Sequence, residues 1–91
     1  ILAWYGALAV VPTITSLRQR FEAVREAEFD REIDKMGHLA EADRERIRRI
    51  AASMVRSLLK HPTEALKAEP DPVRRLDRAE AARHLFKLDG N

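Results

Sequence analysis

The stretch Val10–Arg18, VVPTITSLR, decides the fold, because it sets a proline at the mouth of a long apolar stripe. Beyond Pro12, the residues Ile14, Leu17, Phe21 and Val24 follow at steps of three, four and three, and Phe29, Ile33 and Met36 resume the pattern after a shift. This spacing is one face of a helix, and Gly37 is the expected stop. The span is about 24 residues, or roughly 36 Å at 1.5 Å per residue. Upstream, Ile1, Leu2, Trp4, Tyr5, Leu8 and Ala9 also recur at helical spacing, weakened by Gly6. Pro12 has no N–H to donate and biases Val11 away from the helical region, so a kink or break is predicted there. Neither Val11 nor Thr13 followed by Ser16 makes a good capping box, which favours a kinked, nearly continuous helix over two capped ones. A proline inside a helix costs about 3 kcal/mol, and burial of Ile14, Leu17, Phe21 and Val24 offsets this at roughly 1.5–3 kcal/mol per side chain if all are covered.

Two more helices follow. The stripe Ile47, Ile50, Ala51, Met54, Val55, Leu58 and Leu59 predicts a helix from near Glu41 to His61, ended by Pro62. Its width suggests packing against two neighbours. Ala40 is a poor N-cap, although Glu41 and Asp43 suit the helix dipole. Pro62 to Pro70 reads as a connector, with Ala65, Leu66 and Lys67 forming at most a turn of helix against the bundle. Asp71-Pro72 is a start signal, an N-cap followed by proline at the first helical position. The third helix carries Val73, Leu76, Ala79, Ala82, Leu85 or Phe86, and Leu88, with Gly90 as its stop. The fold class is all-α, with no predicted strand and no internal repeat.

Composition narrows the function classes. The chain has 91 residues, 45% apolar and 35% charged, with no cysteine and a formal charge of +2 from 17 basic and 15 acidic residues. Disulfides and thiolate ligands are excluded, which fits a reducing compartment, and the cytoplasm is the default. The uncharged run Ile1–Leu17 contains Pro12 and lacks a basic n-region, so neither a membrane span nor a signal peptide is expected. The abrupt opening on Ile-Leu-Ala-Trp-Tyr reads as a helix cut short, hence a fragment.

Candidate chemistry is thin. His38, His61 and His84 have no partner at i+4 and no thiolate to complete a zinc shell. Glu22 with Glu26, Glu28 with Glu32, and Asp30 with Asp34 set carboxylates one turn apart, but in a helix this rich in arginine they read as ion-paired surface rather than a divalent-ion site. Ser16, Ser53 and Ser57 have no base at a recognisable spacing, and no glycine-rich loop exists to cradle phosphate. Arg44, Arg46, Arg48 and Arg49 are interleaved with Glu41, Asp43 and Glu45 and lack aromatic companions, so no direct nucleic-acid binding is expected. Trp4 and Tyr5 read as core or interface. No catalytic, cofactor or metal site residue is expected.

What remains is the apolar surface. The first helix is longer than either partner and the second is apolar over a broad arc, so part of that surface needs another chain. A two-fold homodimer is the commonest solution: a three-helix unit, its long helix kinked or broken near Pro12, pairing with a second copy into a six-helix bundle. The expected interface residues are Ile14, Leu17, Phe21, Val24, Ile47, Ile50, Met54 and Leu58. The alternative is a helical adaptor that binds another protein or RNA through the same stripe.

Trp4 and the run VVPTITSLRQRFEAVREAE resemble the start of the C-terminal dimerisation domain of glutamyl-tRNA reductases, where a tryptophan, a V-x-P-x-I step and an L-R-x-x-x-E-x-x-R helix recur. MVRSLLKHPTEALK resembles that family's I-V-N-K-L-L-H-x-P-T-x-x-L-K segment, and HLFKL its terminal L-F-x-L. Arg56 and Ser57 replace the usual Asn-Lys, Lys60 stands where His is common, and Ala40 replaces a capping serine. The resemblance implies a parent enzyme that reduces the glutamyl group of glutamyl-tRNA to glutamate-1-semialdehyde with NADPH, in tetrapyrrole (porphyrin) biosynthesis. It implies too that the catalytic cysteine, the NADPH site and the tRNA site lie in other domains. Residues 1–11 would then be the end of a spinal helix and 12–91 the helical dimerisation domain, with a second copy of itself as partner.

Overall fold

Pro12 does not end the first helix. The computed structural model describes residues 2–89, with side chains from Ala9 onward, and shows α1 running unbroken over Leu2–Glu32. Val10 and Ile14 are buried on one side of Pro12 while Pro12 itself is exposed, so the ring that cannot donate a hydrogen bond faces outward and its apolar neighbours face in. Their burial offsets the lost bond. The packing expected of Trp4 and Tyr5, and the stop at Gly90, lie outside the described residues.

The far end of α1 corrects the expected stop at Gly37. The α-helix closes at Glu32 and tightens into a 3₁₀ turn over Ile33–Met36. Gly37 has a φ of −62°, in the ordinary right-handed region, so its freedom to turn left is unused. Leu39 N–H then bonds back to Met36 O at 3.0 Å.

The second helix, α2, spans Glu41–Ala68 and passes straight through Pro62, which corrects the expected end at His61 and the connector after it. Leu59 and Leu66 are buried on either side of the proline, and Leu66 clusters with Val10 and Ile14 of α1. Two covered leucines outweigh one missing helix hydrogen bond. Ala40 makes no side-chain cap, as its residue type dictates.

Helix α3 covers Pro72–Leu85, with Asp71 at its N-cap and Pro72 in the first turn. The Asp71 carboxylate makes no capping hydrogen bond; Asp71 O accepts from Arg75 N–H at 2.9 Å instead. Glu69, buried in the α2–α3 turn, accepts the Asp71 N–H at 3.0 Å and pairs with Arg78 at 3.0 Å. Arg78 also donates to Ala65 O of α2 at 3.1 Å, and Arg75 Nε to Glu69 O at 2.8 Å, so two arginines of α3 hold the end of α2.

α1 is the central element: it packs against both α2 and α3, which touch each other little. The interior of the described residues is Val10, Thr13, Ile14, Leu17, Phe29, Leu59, Leu66 and Ala79. The principal extents are 57 × 26 × 15 Å. With α2 and α3 flanking α1 and hardly touching each other, the helices lie side by side in a layer and one side of it stays open.

Candidate functional site

Helix lengths create the site. α2 returns antiparallel along α1, and α3 then runs back beside α1 but stops at Leu85, about 21 Å after it starts, while α1 extends for about 46 Å. The half of the α1–α2 hairpin nearest the Ile33–Ala40 turn therefore has no third helix over it. There the two helices bound an apolar groove of about 710 Å³, and Phe21, Val24, Phe29, Ile47, Met54 and Leu58 lie along it. Its far end is closed by Phe86, just past the end of α3.

Each wall has a local cause. Met54 and Leu58, one turn apart on α2, are 60% and 63% exposed, and Val24 of α1 faces them half open. Phe29 is buried, and the Arg48 guanidinium lies 4.1 Å over its ring, an electrostatic contact with the negative face of the aromatic. At the other end Phe21 meets Phe86 edge to face, with ring centroids 5.6 Å apart. Arg20 donates from its Nε to Phe86 O and from its terminal nitrogen to Lys87 O, each at 3.2 Å, tying the end of α3 to α1.

The residues expected to face a partner divide in two. Phe21, Val24, Ile47, Met54 and Leu58 line the groove, and Ile50 is exposed next to it on α2. Ile14 and Leu17 are instead buried within the single chain, Leu17 at 1% exposure, because the α1 half that carries them is covered by the end of α2 and by α3. Periodicity alone does not choose between Leu85 and Phe86. The structure turns Phe86 to the groove and leaves Leu85 74% exposed, and the signal for this is the helix end itself, which sets Phe86 outside the periodic frame.

The charged groups around the groove are ion-paired rather than poised for chemistry. Glu22 and Glu26 lie 2.6 and 3.4 Å from Arg25, Glu28 pairs with Arg31, and Glu32 sits 3.1 Å from Lys35. Glu41 pairs with Arg44, whose hydrogen bond and charge, aided by Arg48, hold the Glu41 carboxyl below the usual glutamate range. Among the described residues no three His, Cys, Asp or Glu side chains gather where a metal ion could be held, and no helix is long and apolar enough to cross a membrane. An open, apolar trough of this kind suits a protein surface better than a small polar substrate.

Comparison with known proteins gives a consistent set of relatives. The family described as glutamyl-tRNAGlu reductase, dimerisation domain, matches residues 1–88. The chain is 33% identical over 91 residues to the glutamyl-tRNA reductase of Synechococcus sp. (strain RCC307), covering 99% of this chain and 21% of that protein. It is 38% identical over 88 residues to the glutamyl-tRNA reductase of Desulfitobacterium hafniense (strain Y51), covering 97% of this chain and 20% of that protein. The glutamyl-tRNA reductase of Roseiflexus castenholzii is 34% identical over 88 residues, with 97% and 20% covered. The chain thus spans about a fifth of the length of these relatives. No solved structure matches it at the same level of significance.

Proposed function

This chain belongs to the glutamyl-tRNAGlu reductase dimerisation-domain family, and from that premise we propose that it joins two copies of a glutamyl-tRNA reductase into a homodimer. The observation that carries this reading is the uncovered α1–α2 groove, where Val24, Met54 and Leu58 stand more than half exposed in a single-layer fold. A second layer removes that surface from water, and a second copy supplies it with two-fold symmetry: two three-helix units packed groove to groove make a six-helix bundle. The contact of an obligate dimer of this kind buries about 2,000 Å² or more. On this reading residues 1–11 are the end of a spinal helix and residues 12–91 the dimerisation domain proper. Phe21, Val24, Ile47, Ile50, Met54 and Leu58 are the interface.

The parent enzyme reduces glutamyl-tRNA to glutamate-1-semialdehyde with NADPH in the cytoplasm, feeding tetrapyrrole biosynthesis. NADPH supplies the hydride for that reduction. It does not fit the residues present here: a dinucleotide site needs a strand, a glycine-rich turn and a helix, and the described residues form helices and turns. The nucleophilic cysteine must likewise come from elsewhere in the parent, since this chain has none. The role of this chain is to set the spacing of two catalytic arms.

Sedimentation equilibrium tests the reading directly. A species of twice 10.4 kDa that persists at micromolar concentration is expected. A folded, helical monomer at that concentration overturns it.

A further inference from the structure

Helix α2 has a third face that neither the interior nor the groove uses. Arg46, Arg49, Arg56 and Lys60 follow at steps of three, seven and four, which at about 100° per residue places them within one arc of roughly 80°, turned about 140° from Ile47, Met54 and Leu58. All four are exposed, and among the described residues none has a carboxylate within ion-pairing distance. Their neighbours along the helix differ: Arg44 is engaged by Glu41, and Arg48 by Glu45 at 3.4 Å and by the Phe29 ring. The structure therefore sorts arginines that look uniformly interleaved with acids into a paired set and a free set.

We propose that this free stripe binds the sugar–phosphate backbone of an RNA, and, resting on the reading of the parent as a glutamyl-tRNA reductase, that the RNA is transfer RNA. The stripe runs about 21 Å along one side of α2, long enough to lie along several phosphates. Ser53 and Ser57, both exposed, stand between the cations and add hydroxyl donors to phosphate oxygen. The acids nearest the arc are Glu64 at its end and Glu45 at its edge, which is engaged by Arg48 at 3.4 Å. An anionic membrane fits less well, because binding at a lipid surface needs apolar side chains beside the cations, and those of α2 turn into the groove. An acidic protein partner fits less well for want of an aromatic or aliphatic anchor on this face. Contacts of this class carry no sequence information and serve to position the substrate on the dimer.

Fluorescence anisotropy with labelled unfractionated transfer RNA tests it, on the whole chain, between 50 and 200 mM salt. Release of counterions from four phosphates predicts a fall in affinity of about 50- to 150-fold across that range. Replacing Arg46, Arg49, Arg56 and Lys60 together by Gln is expected to lower affinity at 50 mM salt by about tenfold or more and to flatten the salt dependence. R46Q and K60Q singly each reduce the salt slope by about one. An Arg44→Gln, Arg48→Gln double variant stays within about twofold of the parent chain. Absence of binding at 50 mM salt, an unchanged quadruple variant, equal damage from the Arg44 and Arg48 pair, or retention on phosphatidylserine vesicles in preference to transfer RNA overturns the inference. Sedimentation of the same samples keeps the two readings apart. A quadruple variant that still dimerises while losing RNA supports the stripe, and a monomeric chain with cation-dependent RNA binding sinks dimerisation but not the stripe.

Discussion

The ring of Phe21 meets the ring of Phe86 edge-on at 5.6 Å, with an interplanar angle of 61°. This contact, with the two hydrogen bonds from Arg20 to Phe86 O and Lys87 O, is what fixes the end of α3 to α1 and shapes the closed end of the groove. A T-shaped pair is favourable beyond its buried area by about 0.5–1.5 kcal/mol. A double-mutant cycle of Phe21→Leu and Phe86→Leu, followed by urea unfolding at one fixed protein concentration, is expected to return a coupling in that range. Additive losses would show that the rings merely fill space.

Glycine and lysine stand in each other's places at the two helix ends. Gly37 has right-handed dihedrals, and a Cβ there meets Asp34 O at an ordinary 3.6 Å. Lys87 has a φ of +53°, in the left-handed region, where Leu88 N–H bonds to Arg83 O at 2.9 Å and Lys87 N–H to His84 O at 3.4 Å. This is a Schellman closure built on a residue with a Cβ. Gly37→Ala and Lys87→Gly are each expected to raise stability by about 0.5–1 kcal/mol, the first by restricting the unfolded chain and the second by relieving the left-handed strain. Thermal or urea unfolding of the two single variants and the double measures it, and the effects add because the sites are far apart.

That exchange also marks the limit of what the sequence discloses. The helical frame, the start at Asp71-Pro72 and the exposed apolar stripe of α2 follow from periodicity and capping chemistry, because they depend on residues close in sequence. Pro62 and Gly37 mislead because their local signals are overridden by contacts from afar: Leu66 on Val10 and Ile14 carries α2 past the proline, and a 3₁₀ turn closes α1 before the glycine. Ile14 and Leu17 share the stripe of Phe21 and Val24 and cannot be told from them by spacing. Only the length of α3 decides which half of that stripe is covered.

Thr13 is wholly buried and, among the described residues, its Oγ1 has no hydrogen-bond partner. An unsatisfied hydroxyl costs about 1–3 kcal/mol against an apolar group of the same shape. Thr13→Val is therefore expected to stabilise the fold by about 1 kcal/mol, while Thr13→Ser keeps the hydroxyl, loses a methyl and destabilises. Unfolding midpoints of the two variants should move in opposite directions. A Thr13→Val chain less stable than its parent would reveal a bond that the hydroxyl makes in solution.

Glu41 carries the pH-sensitive charge at the start of α2. The Arg44 hydrogen bond and charge depress its carboxyl pKa below the unfolded value. A depressed acid adds stability that is present above the unfolded pKa and is lost as the pH falls through the folded one. In carboxyl-detected NMR the Glu41 titration is expected to lie below the ordinary glutamate range and to move up in an Arg44→Gln variant. The exposure of Glu41 keeps the accompanying change in unfolding small, and high salt should shrink the difference.

Buried and groove leucine-type positions should respond differently to the same charge. An aspartate at Leu17 falls inside a single copy, where the side chain is 1% exposed and an unpaired charge has no partner, so Leu17→Asp is expected to unfold the chain at every concentration. An aspartate at Met54 enters the open groove, where a lone copy leaves it in water, so Met54→Asp keeps its helix signal at low concentration and loses only association. Since binding of a second copy stabilises by mass action, the melting temperature of the parent chain rises with protein concentration and that of Met54→Asp does not. Circular dichroism melts over a hundredfold range of concentration, read beside sedimentation, make the comparison. Equal loss of helix in both variants would mean that the groove is part of one chain's own interior, and that nothing remains for a second copy to cover.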